Sequence, residues 1–136
     1  GQLCKHKGID QIKGLIQYIR DNQLIQYRIV CIGDAQDIEN DDIFYSTGKY
    51  KRDDISDLVE KYDVDVFFMS SVCPETFSYT VSEIQSMNMP LLSYDLGAQG
   101  ERTKNYKFGK VIPLHANPKV ILDTIKELCE GDASNE

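Results

Sequence analysis

No apolar run in this 136-residue chain approaches the roughly 20 residues that a bilayer-spanning helix needs. The opening stretch, GQLCKHKGID, is too polar for the apolar core of a secretory signal. Both absences point to a cytoplasmic domain, one that a larger protein can still bring to a membrane. Basic charge is also scarce. Fifteen Lys and Arg stand against 22 Asp and Glu, giving a net charge of −7. That balance excludes the broad basic surface of a nucleic-acid binder. It does not exclude a small anionic ligand, because a phosphate needs only a few oriented N–H groups and one or two cations. Histidine is limited to His6 and His115, and the four cysteines, Cys4, Cys31, Cys73 and Cys129, form no C-x-x-C pair. A zinc site therefore has no sequence support, and reduced thiols are expected. Cys31 lies in an apolar run and reads as a small core residue. Internal repeats and low-complexity segments are absent.

What is present is the composition of an ordinary globular domain, 41% hydrophobic and 27% charged. Residues 9–22 place Ile9, Ile12, Leu15, Ile16 and Ile19 at helical spacing. Short apolar strands are expected at 28–32, 41–46, 64–69, 91–94 and 110–113, with further helices at 53–62, 78–88 and 118–130. The pattern predicts one domain over residues 1–130 and an unstructured polar tail, GDASNE, at 131–136. Strands alternating with amphipathic helices imply an α/β fold, a doubly wound, mostly parallel, Rossmann-like sheet. The first helix has only GQLC before its Lys-rich turn, so the fold is expected to be truncated at its first strand, as in a fragment of a larger protein.

In such sheets ligands bind at the carboxyl ends of the strands. The loop after the strongest strand reads SSVCPETFSYTVSE. Pro74 stiffens it, and Thr76 or Ser78 can cap the next helix. Backbone N–H groups near Tyr79 and Thr80 would then face a phosphate at the helix start. Glu75 and Glu83 are placed to accept hydrogen bonds from ribose or sugar hydroxyls. Spacing alone favours a capped helix carrying two solvated glutamates. Lys5 and Lys7 beside a helix start are unfavourable for its dipole unless an anion lies between them; a surface turn is the alternative. Asp95–Arg102, with Gly97 and Gly100, reads as a Gly-rich turn, and Thr47-Gly48-Lys49-Tyr50 as a turn whose Tyr50 can pack on a base.

Glu75-TFSYTVS-Glu83, followed by IQSMNMP and LLSYDLGAQGER, together with GQLCKHKGID and RIVCIGDA, resembles the C-terminal domain of group 1 glycosyltransferases of the GT-B architecture. The resemblance covers nearly the whole chain. Within the family it is most similar to transferases that build bacterial surface polysaccharides. It implies a nucleotide-diphosphate sugar as donor and retaining transfer to a glycan or lipid-linked glycan, held by an N-terminal domain outside this chain. It also implies independence of metals and no other cofactor. On the matching positions it makes Lys7 the contact of the donor diphosphate, Glu83 the ribose ligand and Glu75 the glutamate beside the donor sugar. Tyr79 and Thr80 become the helix start that holds the diphosphate, with Ser78 at its cap, and Tyr50 falls in the region that meets the base. Gln2 stands where the family has an arginine. Glutamine donates a hydrogen bond but brings no charge, so either another cation, Lys5 or Arg102, substitutes, or donor binding by this chain is weak. Met87-Asn88-Met89-Pro90 replaces the usual Gly-Pro turn, a mild change because Asn tolerates the left-handed conformation. The catalytic cleft implied by the resemblance lies between two domains, so this chain alone should bind nucleotide with little or no turnover. The alternatives are a nucleotide-sugar epimerase-type domain and a non-catalytic, receiver-like α/β module. The latter needs an acidic cluster after its first strand, where this chain has Lys5 and Lys7.

Overall fold

The computed structural model describes residues 2–3, 5–35, 37–74 and 79–134. The chain forms two compact units, Gly1–Val64 and Asp65–Glu136. All strand pairing is parallel, in α/β units of the kind expected.

In the first unit, β1 (Gln2–Leu3) pairs with β3 (Asp34–Ala35), and β2 (Ile29–Cys31) pairs with β4 (Phe44–Ser46). Between β1 and β2 runs α1 (Ile9–Asp21), which buries Ile9, Ile12, Leu15, Ile16 and Ile19, the five residues whose spacing marked it. A 3-10 turn at Arg52–Asp54 leads into α2 (Ile55–Lys61), anchored by buried Ile55. Phe44 is fully buried.

The second unit has one sheet of order β5-β6-β7, from Phe67–Met69, Leu91–Tyr94 and Gly109–Ile112. Central β6 is buried along its whole length, as a strand covered on both faces must be. Val81 and Ile84 of α3 (Tyr79–Ser86) pack with Leu91 in a core that also takes Phe67, Met69, Met89 and Tyr106. Helix α5 (Pro118–Ser134) buries Ile121, Leu122 and Leu128.

Two expectations need correction. Residues 97–104 are a helix, α4 (Gly97–Lys104), not a Gly-rich turn. Its buried face consists of Gln99, Gly100 and Thr103, so it carries no apolar period to read. Gly100 lets the helix approach β6 closely, since a Cβ there would lie 2.9 Å from the Tyr94 carbonyl oxygen. Helix α5 also continues through residues 131–134, which had been assigned to the tail. Gly131 lowers helix propensity by only about 1 kcal/mol, too little to stop a long helix already docked on its sheet.

Candidate functional site

The amino-terminal candidates follow directly from β1. Gln2 lies on β1, and Lys7 closes a 3-10 turn, Lys5–Lys7. Gly8 then adopts φ 89°, a left-handed conformation that lets the chain turn from the 3-10 segment into α1. No side chain caps α1, and its first backbone bond runs from Ile12 N–H to the Gly8 carbonyl. The N–H groups of the first turn therefore have no partner within the helix. Lys7 is half-buried beside that start, whereas Lys5 is exposed. Asp10 in the first turn of α1 offsets part of the positive potential.

Tyr50 lines a cavity of about 220 Å³ with Thr47, Lys49, Asp54, Asp57, Leu58 and Lys61. The segment before Tyr50 is held by backbone bonds from Thr47 N–H to the Cys31 carbonyl and from Gly48 N–H to the Gly33 carbonyl, both 2.9 Å. The Thr47 hydroxyl accepts from Gly33 N–H at 3.0 Å. The ends of β2 and β4 are thereby tied together. Asp54, Asp57, Leu58 and Lys61 were not singled out from the sequence. Asp54, just before α2, and Asp57, Leu58 and Lys61 within it stand at i, i+3, i+4 and i+7 and so share one face.

In the second unit, Tyr79 is the first residue of α3, Thr80 is exposed at its start, and Glu83 is half-buried one turn further on. Val81 and Ile84, 0% and 2% exposed, fix the rotation of the helix about its axis. Glu83 therefore lies away from the apolar seam. The helix ends at Ser86, and Asn88 in the turn that follows takes φ 56°, the left-handed conformation expected in the Met87–Pro90 turn. Glu75 and Ser78 lie outside the described residues.

Arg102, one of the two cations named for the Gln2 position, lies on α4. Its guanidinium donates to the Ser82 hydroxyl at 2.8 Å and the Gln85 side-chain oxygen at 2.9 Å, on α3. Fully buried Gln99, one turn earlier on α4, donates to the Cys73 carbonyl at 2.9 Å. Sequence reasoning missed both contacts because it missed α4.

Cys31, Cys73 and Cys129 are free thiols, and burial pushes the Cys31 thiol above its ordinary value. Among the described residues, no group of three or more His, Cys, Asp and Glu is gathered to hold a metal ion. No described helix is long and apolar enough to cross a membrane.

Parallel strands alternating with helices place the chain in the Rossmann-like α/β class. The comparison with known families makes this specific. The family Glycosyl transferases group 1 matches residues 1–136, and the chain belongs to it. No curated protein and no solved structure gives a significant match.

Proposed function

We propose that this chain binds a nucleotide-diphosphate sugar and is the donor-binding part of a retaining glycosyltransferase of the GT-B architecture, acting toward a bacterial glycan or polysaccharide. The observation that carries this reading is the placement of Glu83. It is half-buried on a helix whose rotation is locked by Val81 and Ile84, at the position that the family resemblance assigns to ribose recognition. Lys7, beside the uncapped start of α1, supports the reading independently, because a cation there gains from an anion between it and the helix.

In the reaction, the bond from the anomeric carbon to the diphosphate breaks and negative charge gathers on phosphate oxygens. The Lys7 ammonium is suited to stabilise such charge, and so, taken separately, are the backbone N–H groups at Tyr79 and Thr80. By the family resemblance Glu83 matches the ribose ligand and Glu75 the glutamate beside the donor sugar, with Ser78 among the donor-binding positions, and Tyr50 with its cavity is suited to receive the base. Gln2 contributes a neutral donor to the phosphates in place of a cation. In this reading the acceptor, a glycan or lipid-linked glycan, is held by a second domain, and the chain by itself transfers little or no sugar. The free thiols of Cys31, Cys73 and Cys129 accord with a reducing, cytoplasmic setting.

Calorimetric titration of a nucleoside diphosphate into Lys7→Ala and Glu83→Ala tests the assignment. Each substitution is expected to weaken binding about tenfold or more, the loss of one charged contact at roughly 1.5–3 kcal/mol. Unchanged affinity in both, with unchanged melting, removes the assignment. Addition of a chelator is expected to leave the affinity as it was.

A further inference from the structure

We propose that Gln99 and Arg102 are positioning residues, through which α4 holds the loop after β5 and helix α3 in the geometry that donor binding needs. The two side chains are three residues apart and therefore share one face of α4. Gln99 is fully buried, and its amide bonds the Cys73 carbonyl at 2.9 Å across 26 positions of sequence. The Ser71 hydroxyl donates to the same carbonyl at 3.2 Å, so this one oxygen fixes the loop from two sides. Cys73 is two residues before Glu75 in the sequence. Arg102 bonds Ser82 and Gln85, which stand one residue before and two residues after Glu83. Both described flanks of the acidic stretch are thus tied to one short helix.

Packing alone does not account for these bonds. Val81 and Ile84 already dock α3 on the sheet through apolar burial, with Leu91, Phe67 and Met69 beneath them. Ordering an arginine also costs up to about 2 kcal/mol of rotamer freedom, a cost that a merely decorative surface contact does not recover. What the guanidinium adds is a fixed register of Ser82 and Gln85 against α4, and with it the direction of the Glu83 side chain. Catalytic and binding groups lose affinity steeply when their supporting hydrogen bonds are removed, because small displacements matter.

This inference rests on the donor-binding reading above. Its test uses the full chain, titrated by calorimetry with UDP, GDP, ADP and dTDP, then repeated on variants with whichever of the four binds. Arg102→Ala removes both bonds to α3, Arg102→Lys keeps a charge that reaches one of them, and Gln99→Met keeps volume while removing the donor. Arg102→Ala and Gln99→Met are expected to bind about tenfold more weakly, with Arg102→Lys recovering part of the loss. Amide hydrogen exchange should quicken in α3 of Arg102→Ala and stay unchanged in α5. Equal affinity in Arg102→Ala and the unaltered chain overturns the inference while leaving the donor reading intact. Unchanged exchange in α3 overturns it as well, whatever the affinity. If the unaltered, folded chain binds none of the four diphosphates, the donor reading falls and the positioning role falls with it.

Discussion

Tyr94 shows how one residue at the end of a strand departs from ordinary packing. It is fully buried at the carboxyl end of β6, with the Phe68 ring edge-on at 5.6 Å, and its hydroxyl has no hydrogen-bond partner among the described residues. Burial pushes its pKa up to about 12. A phenol whose folded pKa exceeds its unfolded value, near 10, stabilises the fold fully below that value. The contribution is lost as pH rises from about 10 through about 12. Tyr94→Phe is therefore expected to remove this alkaline loss. It should also gain about 1 kcal/mol at neutral pH, because a buried hydroxyl without a partner costs roughly 1–3 kcal/mol. Urea unfolding of both proteins at neutral pH and at about pH 11 measures both effects. A loss of stability at neutral pH would show that the hydroxyl is satisfied in solution.

Helix endings carry the next level of organisation. Helices α1, α2 and α3 are followed by Gln23, Asp63 and Asn88, at φ 53°, 53° and 56°. Each is a left-handed stop made without glycine, and each returns a backbone bond to the last turn: Leu24 N–H to Ile19, Val64 N–H to Val59, and Met89 N–H to Ile84. Asn and Asp tolerate this conformation through their short polar side chains, but Gln does not. Gln23→Gly is accordingly expected to stabilise the chain by about 0.5–1 kcal/mol, read as a raised thermal midpoint. A lowered midpoint would mean that the Gln23 side chain makes a contribution of its own. The legibility of the sequence follows the same physics. Helix α1 was visible because five isoleucines and leucines repeat at helical spacing, and β6 because four consecutive residues are buried. Helix α4 was invisible because it docks through Gly100, Gln99 and Thr103, with the Thr103 hydroxyl donating to the Gln99 carbonyl at 2.6 Å. Close approach and internal hydrogen bonds replace apolar area there, and hydrophobic periodicity does not report them. Lys7 and Glu83 were picked out by motif. The acidic and basic residues of α2 around Tyr50 required the cavity itself to be seen.

For the molecule as a whole, the family assignment covers every residue, and the candidate residues are distributed along the chain, Gln2, Lys7 and Tyr50 before Val64 and the rest after it. The net charge of −7 gives this arrangement a distinctive signature. An acidic protein repels a stray anion, so any affinity that grows with the number of phosphates must come from groups aimed at them. Lys7 and the helix starts are those groups in the present account. The most direct measurement is a calorimetric series on the unaltered chain, comparing a nucleoside, its monophosphate and its diphosphate. The account predicts affinity rising along the series, with the diphosphate about tenfold or more tighter than the nucleoside. Equal affinity for all three, or no binding of the diphosphate by the folded chain, would contradict it.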